Sequence, residues 1–240
     1  GVEPAPVEDL ADGEGLTAAL TGADAVVHLA ARAHVLQESS VDPLHAYRQI
    51  NVEGTRAVMT AAIAAGVRSV VVASSVKAVG ERNTVAWTEA TEPNPVDAYG
   101  MSKLEAERLA LELASRSHVG VSILRLPLVY GPGVRANALR LLRLVDRGVP
   151  LPLGRVRNRR SYLYLDNAAA AIAAVLGTPA ATGETFFVSD GVDFSTPDLI
   201  RLMARALGRP ARLLPVPAGW LRAAGRAGRS PRETEDKRGR

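Results

Sequence analysis

The sequence predicts an α/β fold: a doubly wound parallel sheet with helices on its faces and a smaller region toward the carboxyl end. Three observations predict it. Short apolar runs alternate with longer stretches whose apolar residues recur at helical spacing. The apolar runs are continuous and do not alternate with polar residues, as strands buried on both faces require. After Pro127 the texture shifts to loops, one amphipathic helix and many arginines.

In chain order, "AVVHLA" (25–30) reads as a buried strand. Residues 42–66 follow as a helix with Gly66 as its stop. Next come the strand "SVVVAS" (69–74), a loop through residue 97, a helix over 98–115 and the strand "VSILRL" (121–126), bounded by Gly120 and Pro127. "SYLYLD" and "NAAAAIAAVL" add a strand and a helix, and "TFFVSDG" one more strand. "STPDLIRLMARALG" reads as a capped helix with Pro197 in its first turn. These elements divide the chain into a sheet domain over 1–126 and a mostly substrate-binding region over 127–221, of which 161–177 return to the sheet; 222–240 form a basic, disordered tail. There is no internal repeat.

Composition narrows the class. The 240 residues are 47% hydrophobic and 22% charged, as in an ordinary globular protein, and include no cysteine for disulfides or thiolate metal sites. No apolar run approaches the ~20 residues that span a bilayer, and no leader is evident; the reading is a cytoplasmic protein with no membrane insertion. The net charge of +4 resides entirely in 222–240, which hold seven Lys/Arg and three Asp/Glu. A basic tail on a neutral body does not predict a nucleic-acid partner. The four histidines (28, 34, 45 and 118) lack metal-ligand spacing, and His28 reads as strand-end packing.

The chemistry concentrates at two places. The valine run at 70–72 ends in Ser74-Ser75, and "YGMSK" places Tyr99 and Lys103 at i and i+4, on one side of a helix. With five Tyr and three Lys in the chain, random placement yields on the order of 0.06 such pairs. A hydroxyl at the carboxyl end of one strand and a Tyr opening the next helix meet at the sheet edge where open α/β folds bind ligands. A phenol with a pKa near 10 is a poor proton carrier at neutral pH, and an adjacent ammonium is expected to lower it. Ser75 would hold a carbonyl or alcohol oxygen, and Tyr99 would move the proton.

At these residues the chain resembles the short-chain dehydrogenase/reductases, specifically their extended, nucleotide-sugar-modifying branch (the NAD-dependent epimerase/dehydratase family), over roughly residues 1–220. "HLAA" (28–31), "NVEGT" (51–55), "ASSVKAVGE", "YGMSK" and "RLPLVYGPG" (125–133) carry the likeness. The resemblance implies a Rossmann-like fold, NAD or NADP as cofactor, catalytic Ser75, Tyr99 and Lys103, and a homodimer paired through the helices at 42–65 and 98–115. It further implies cofactor contacts from Asp9, Leu10, Leu29, Ala30, Ala31, Asn51, Ser74, Tyr99, Lys103 and Leu126. Ser75, Lys77, Asn137 and Arg160 are the corresponding substrate-binding candidates. Each of the last three has a plainer alternative: a loop lysine for Lys77, a helix cap for Asn137, and a solvated basic cluster, "RVRNRR", for Arg160. Trp87 sits in a loop that either covers the site or packs.

Within the branch, "SSVKAVGE", "LVYGPGVRAN" and "LPLG" look most like bacterial reductases and epimerases acting at C4 of UDP-N-acetylhexosamine derivatives in surface-polysaccharide synthesis. The leading expectation is reduction of a 4-keto nucleotide sugar; the alternatives are a 4-epimerase with bound NAD and a non-catalytic nucleotide-binding module. Leu128 departs from the Asn of many relatives and leaves the sugar open. A second departure is larger. Two stretches fit a loose Gly-x-Gly-x-x-Ala pattern, "GEGLTA" (13–18) and "GPGVRA" (131–136), and both read as turns that hold no pyrophosphate. "VEPAPVEDLAD" (2–12) resembles the family's third strand, so the reading is of an amino-terminally truncated fragment that binds NAD(P) weakly or not at all.

Overall fold

A computed structural model describes residues 4–7, 9–10, 12–33, 40–217 and 219–220. The chain divides into two compact units. The first takes the described residues up to Pro132 together with Leu163–Asp190, and the second takes Gly133–Tyr162 and the described residues from Gly191 onward.

The first unit is built on four parallel strands in the order β1 (Ala25–His28), β2 (Ser69–Ser75), β3 (Gly120–Leu126) and β6 (Thr185–Phe187). Around them run α1 (Gly13–Leu20), α2 (Pro43–Asn51), α3 (Glu53–Ala64), α4 (Ala98–Ser115) and α6 (Leu165–Leu176), with a short β4 (Leu128–Tyr130) after β3. Side chains two apart on a strand share a face. Val70 and Val72 of β2 and Val121 and Ile123 of β3 therefore line one surface, and they pack with Met59 and Ala62 of α3 and Ala110 of α4 in the main core cluster. At ~25 cal/mol per Å² of buried apolar area, this layer is the chief stabilising feature of the unit. α6 also lies against β2 and β3.

The second unit contains α5 (Ala136–Asp146), the start of β5 (Arg160–Tyr164), β7 (Asp193–Phe194) and α7 (Thr196–Ala206). Arg160 and Ser161 pair antiparallel with Phe194 and Asp193. Val145, Leu151, Ile200 and Ala204 form its own core. Ser195 caps α7 by accepting the Asp198 N–H at 3.2 Å, and Pro197 sits in the first turn, where its missing N–H costs nothing.

Several boundaries differ from the sequence reading. Residues 42–66 form two helices, not one, meeting at Val52. β1 stops at His28, so Leu29 and Ala30 lie beyond the strand. Residues 4–7, inside the stretch read as a strand, are not in one. The first unit runs on to Pro132 and regains the chain through Asp190, because β6 pairs with β3 and brings 185–187 into the sheet. The tail 222–240 and His34 lie outside the described residues. Among the described residues no helix is long and apolar enough to cross a membrane, and no group of three or more His, Cys, Asp or Glu could hold a metal ion.

Candidate active site

β2 ends in Ser75, and the chain turns at once into a single 3-10 turn, Val76–Ala78. The Ser75 hydroxyl accepts the Lys77 N–H at 3.2 Å and so caps that turn. α4 starts directly beside it. Asp97 caps the helix by accepting the Gly100 N–H at 2.7 Å, while its other oxygen takes the Lys77 ammonium at 2.5 Å. Gly100 is required by close approach, since a Cβ there would sit 2.4 Å from the Lys77 carbonyl oxygen. The first turn of α4 therefore presses onto the 76–78 turn and brings the Tyr99 phenol close enough to Ser75 for the hydroxyl to favour its phenolate.

Tyr99 is set in a small aromatic cluster: its ring lies 5.9 Å from that of Tyr47. The Arg32 guanidinium stands 5.3 Å from the Tyr47 centroid. Four residues along α4, Lys103 is only 3% exposed and donates its ammonium to the Ala73 carbonyl at 2.6 Å. Ser75, Tyr99 and Lys103 are thus gathered at the carboxyl end of β2.

Their electrostatics depart from expectation. Burial is the main influence on Tyr99 and pushes its phenol above the ordinary value of 10, with Asp97 adding to the rise; the Ser75 bond and the Lys77 charge pull the other way without prevailing. The expected lowering of the phenol by Lys103 is therefore corrected. In a buried setting the phenolate loses more solvation than neighbouring charges return. Burial also lowers Lys103, from 10.5 to about 8, while Glu107 opposes the fall. His28, whose Nε2 lies 3.0 Å from the Thr55 hydroxyl, is lowered to about 4 by burial first and the Lys103 charge second.

The other candidates separate clearly. Ser74 is buried and gives its hydroxyl to Glu107, which forms an ion pair with Arg125 at 2.8 Å. Asn51 is 1% exposed and works internally: it accepts the Arg32 N–H at 2.7 Å and donates to Ser102 Oγ at 2.8 Å. It thereby fixes the segment that leaves β1. Lys77 is engaged by Asp97 and by Glu81 at 2.9 Å. Leu10 packs with Val58 and Ala61 in an apolar cluster, and Asp9 is exposed. Leu126 closes β3 opposite Ser75. Asn137 is the second residue of α5, whose N-terminus has no side-chain cap, so the capping role does not apply. Arg160 is the exposed first residue of β5; it and Asn137 belong to the second unit. Trp87 packs against Gly80.

Residues 7–189 match the family described as "NAD dependent epimerase/dehydratase family". The chain belongs to that family. It is 44% identical over 195 residues to a UDP-glucose 4-epimerase of Vibrio cholerae, a match covering 80% of this chain and 60% of the relative. It is 30% identical over 219 residues to an N-acetyl-alpha-D-glucosaminyl-diphospho-ditrans,octacis-undecaprenol 4-epimerase of Escherichia coli O157:H7, covering 90% of this chain and 65% of that one. The chain thus spans less than two thirds of either relative. Among solved structures, MoeE5 in complex with UDP-glucose and NAD superposes with a TM-score of 0.72 at 30% identity, over 87% of this chain and 70% of that one.

For a member of the epimerase/dehydratase family, the donor set fits the nicotinamide end of the cofactor. A hydroxyl, a phenol and a buried ammonium converge at the carboxyl edge of the parallel sheet, near Leu29, which is 62% exposed. Gly13 and Gly15 open α1, where the Asp12 carboxylate already accepts the Gly15 N–H at 2.9 Å and would repel an anion. Gly131 and Gly133 sit in a turn, both at positive φ.

Four contributors to this site escaped the sequence reading: Asp97, Gly100, Glu107 and Arg125. Arg125 left a signal. An arginine within an otherwise apolar buried strand needs a buried partner, and Glu107 lies one helical turn beyond Lys103.

Proposed function

We propose that the protein carrying this chain is a nucleotide-sugar 4-epimerase using NAD. The single observation that carries the reading is the convergence of Ser75, Tyr99 and buried Lys103 at the carboxyl end of β2, in a chain 44% identical to a UDP-glucose 4-epimerase. That relative favours the epimerase over the reductase first expected. The named chemistry of the E. coli relative, also a 4-epimerase, points the same way.

A nicotinamide held beside Tyr99 and Lys103 would supply the hydride acceptor, and then donor, at C4 of the sugar. Ser75 Oγ holds the C4 oxygen. Tyr99 Oη takes the hydroxyl proton as the C–H bond breaks and gives it back when the hydride returns, so no net oxidation occurs. Burial holds the Tyr99 phenol above its ordinary value in the unliganded chain, so taking the hydroxyl proton requires phenolate, which the positive charges of Lys103 and of a bound oxidised nicotinamide would favour. Lys103 holds a positive charge on the cofactor side of the pair. Lys77, Asn137 and Arg160 are the candidates for the substrate diphosphate; Arg160 has the planar fork that pairs with phosphate oxygens. The same reading carries a homodimer paired through residues 42–65 and 98–115, which light scattering on the purified protein tests.

The test is incubation with UDP-glucose or UDP-N-acetylglucosamine and NAD, followed by proton NMR of the anomeric signals. Conversion to the C4 epimer without net change in reduced nicotinamide is expected, and Tyr99→Phe should abolish it with the fold intact. Stoichiometric consumption of NADPH with a UDP-4-keto sugar would return the reductase reading instead.

A further inference from the structure

We infer that Glu107 is a positioning residue of this site: paired with Arg125, bonded by Ser74 and one helical turn from buried Lys103, its carboxylate anchors the end of β2 that carries Ser75. The inference rests on the proposed roles of Ser75, Tyr99 and Lys103 for its functional meaning. Its geometry stands independently.

Ser74 and Arg125 are register partners on adjacent strands. By the two-residue period they continue the face formed by Val70, Val72, Val121 and Ile123, which packs on α3 and α4. Two polar side chains on that face need a partner from a helix, and Glu107 of α4 is the one they have. The Arg125 guanidinium meets the carboxylate through two nitrogens, Nε at 3.1 Å and Nη2 at 2.8 Å, and the Ser74 hydroxyl donates to Oε1. Side-chain exposure is 7% for Arg125 and 3% for Glu107, so solvent does not screen the pair. On its other side Arg125 stacks over Phe187, with Cζ 5.6 Å from the ring centroid.

The arrangement holds β2, β3 and α4 together one residue short of Ser75. It also places a carboxylate one helical turn from an ammonium that burial disfavours. The charged and titratable groups around this balance come from several elements. From α4 come Lys103 and Glu107; from β3 comes Arg125; from β1 comes His28, held neutral; Glu89 faces Arg125, and Asp97 and Lys77 face Tyr99. Among these, Glu107 is the charge that acts on Lys103 to oppose the effect of burial. Glu107→Gln removes this carboxylate and leaves the Arg125 charge uncompensated, and both changes disfavour the protonated Lys103.

The experiment is NMR titration of the lysine Cε carbons in the full chain, which has three lysines. Lys103 is assigned by the signal lost in Lys103→Arg. In Glu107→Gln the Lys103 midpoint is expected to fall below that of the unchanged chain, and Glu107→Asp, which keeps the charge, should restore most of the difference. An unchanged midpoint in Glu107→Gln overturns the inference. Should that variant fail to fold, the unchanged chain decides: the Glu107 carboxyl carbon should shift through the Lys103 midpoint, and a flat resonance there overturns the inference equally. The reading of the site fails separately, if Tyr99→Phe still turns over.

Discussion

Replacing Lys103 by Met tests how much stability the site gives up to hold a buried ammonium. Lys103 is 3% exposed, and burial brings it down to about 8 from 10.5. Each pKa unit corresponds to about 1.36 kcal/mol, so the folded state carries a penalty of roughly 3 kcal/mol whenever the lysine is protonated in both states. The sign follows from linkage. Between about 8 and 10.5 the unfolded chain binds the proton and the folded chain does not, so stability rises with pH across that window and is lower below it. Methionine matches the stem and removes the charge. It also strands the Ala73 carbonyl that the ammonium bonds at 2.6 Å, a loss of about 1–3 kcal/mol. The net expectation is that Lys103→Met is more stable than the unchanged protein at pH 7 by up to about 2 kcal/mol. Urea unfolding at intervals from pH 7 to 10.5 is the assay, and subtracting the two curves removes titrations common to both. The advantage of the variant should shrink and then reverse as pH rises. A variant less stable at pH 7, or a difference that does not change with pH, would refute the reasoning.

Three further expectations follow from the same geometry. Arg125→Met leaves Glu107 charged and unpaired in the interior and should cost about 3–5 kcal/mol in urea unfolding at pH 7; Arg125→Met combined with Glu107→Leu should recover much of that loss. Gly100→Ala forces a Cβ against the Lys77 carbonyl and should cost about 1–3 kcal/mol while displacing Tyr99, read as a loss of turnover larger than the loss of stability. His28 titrates near 4 when folded and at 6.5 when not, so the stability it contributes is full above pH 6.5 and declines as pH falls through 4. His28→Gln should flatten that acid limb by as much as roughly 3 kcal/mol, measured by unfolding between pH 7 and pH 4.

Much of the sheet was legible because its signal is local. The runs at 69–74 and 121–126 are continuously apolar, and the structure pairs them in parallel with near-identical limits. α4 was legible from its helical spacing, although the Asp97 cap just ahead of it went unread. The short β6 carries little periodicity of its own, and its place beside β3 depends on a partner 62 positions away, Ile123 with Thr185. The break at Val52 was hidden for a different reason. The apolar pattern continues through it, while Asn51, the last residue of α2, uses its side chain to hold the backbone of Arg32.

Residue types and spacings alone determined the parallel α/β architecture, the Ser75, Tyr99 and Lys103 set, and the kinship that both imply. Tertiary structure decided what the neighbouring polar residues do. In the sequence only the family resemblance separates Ser75 from Ser74; in the structure the Ser74 hydroxyl is buried against Glu107, while Ser75 closes β2 beside Tyr99. The direction of the Tyr99 shift was likewise settled only in three dimensions. Spacing gives the proximity of an ammonium, but the loss of solvation around the phenolate depends on everything packed against it, and here that loss outweighs the nearby charges.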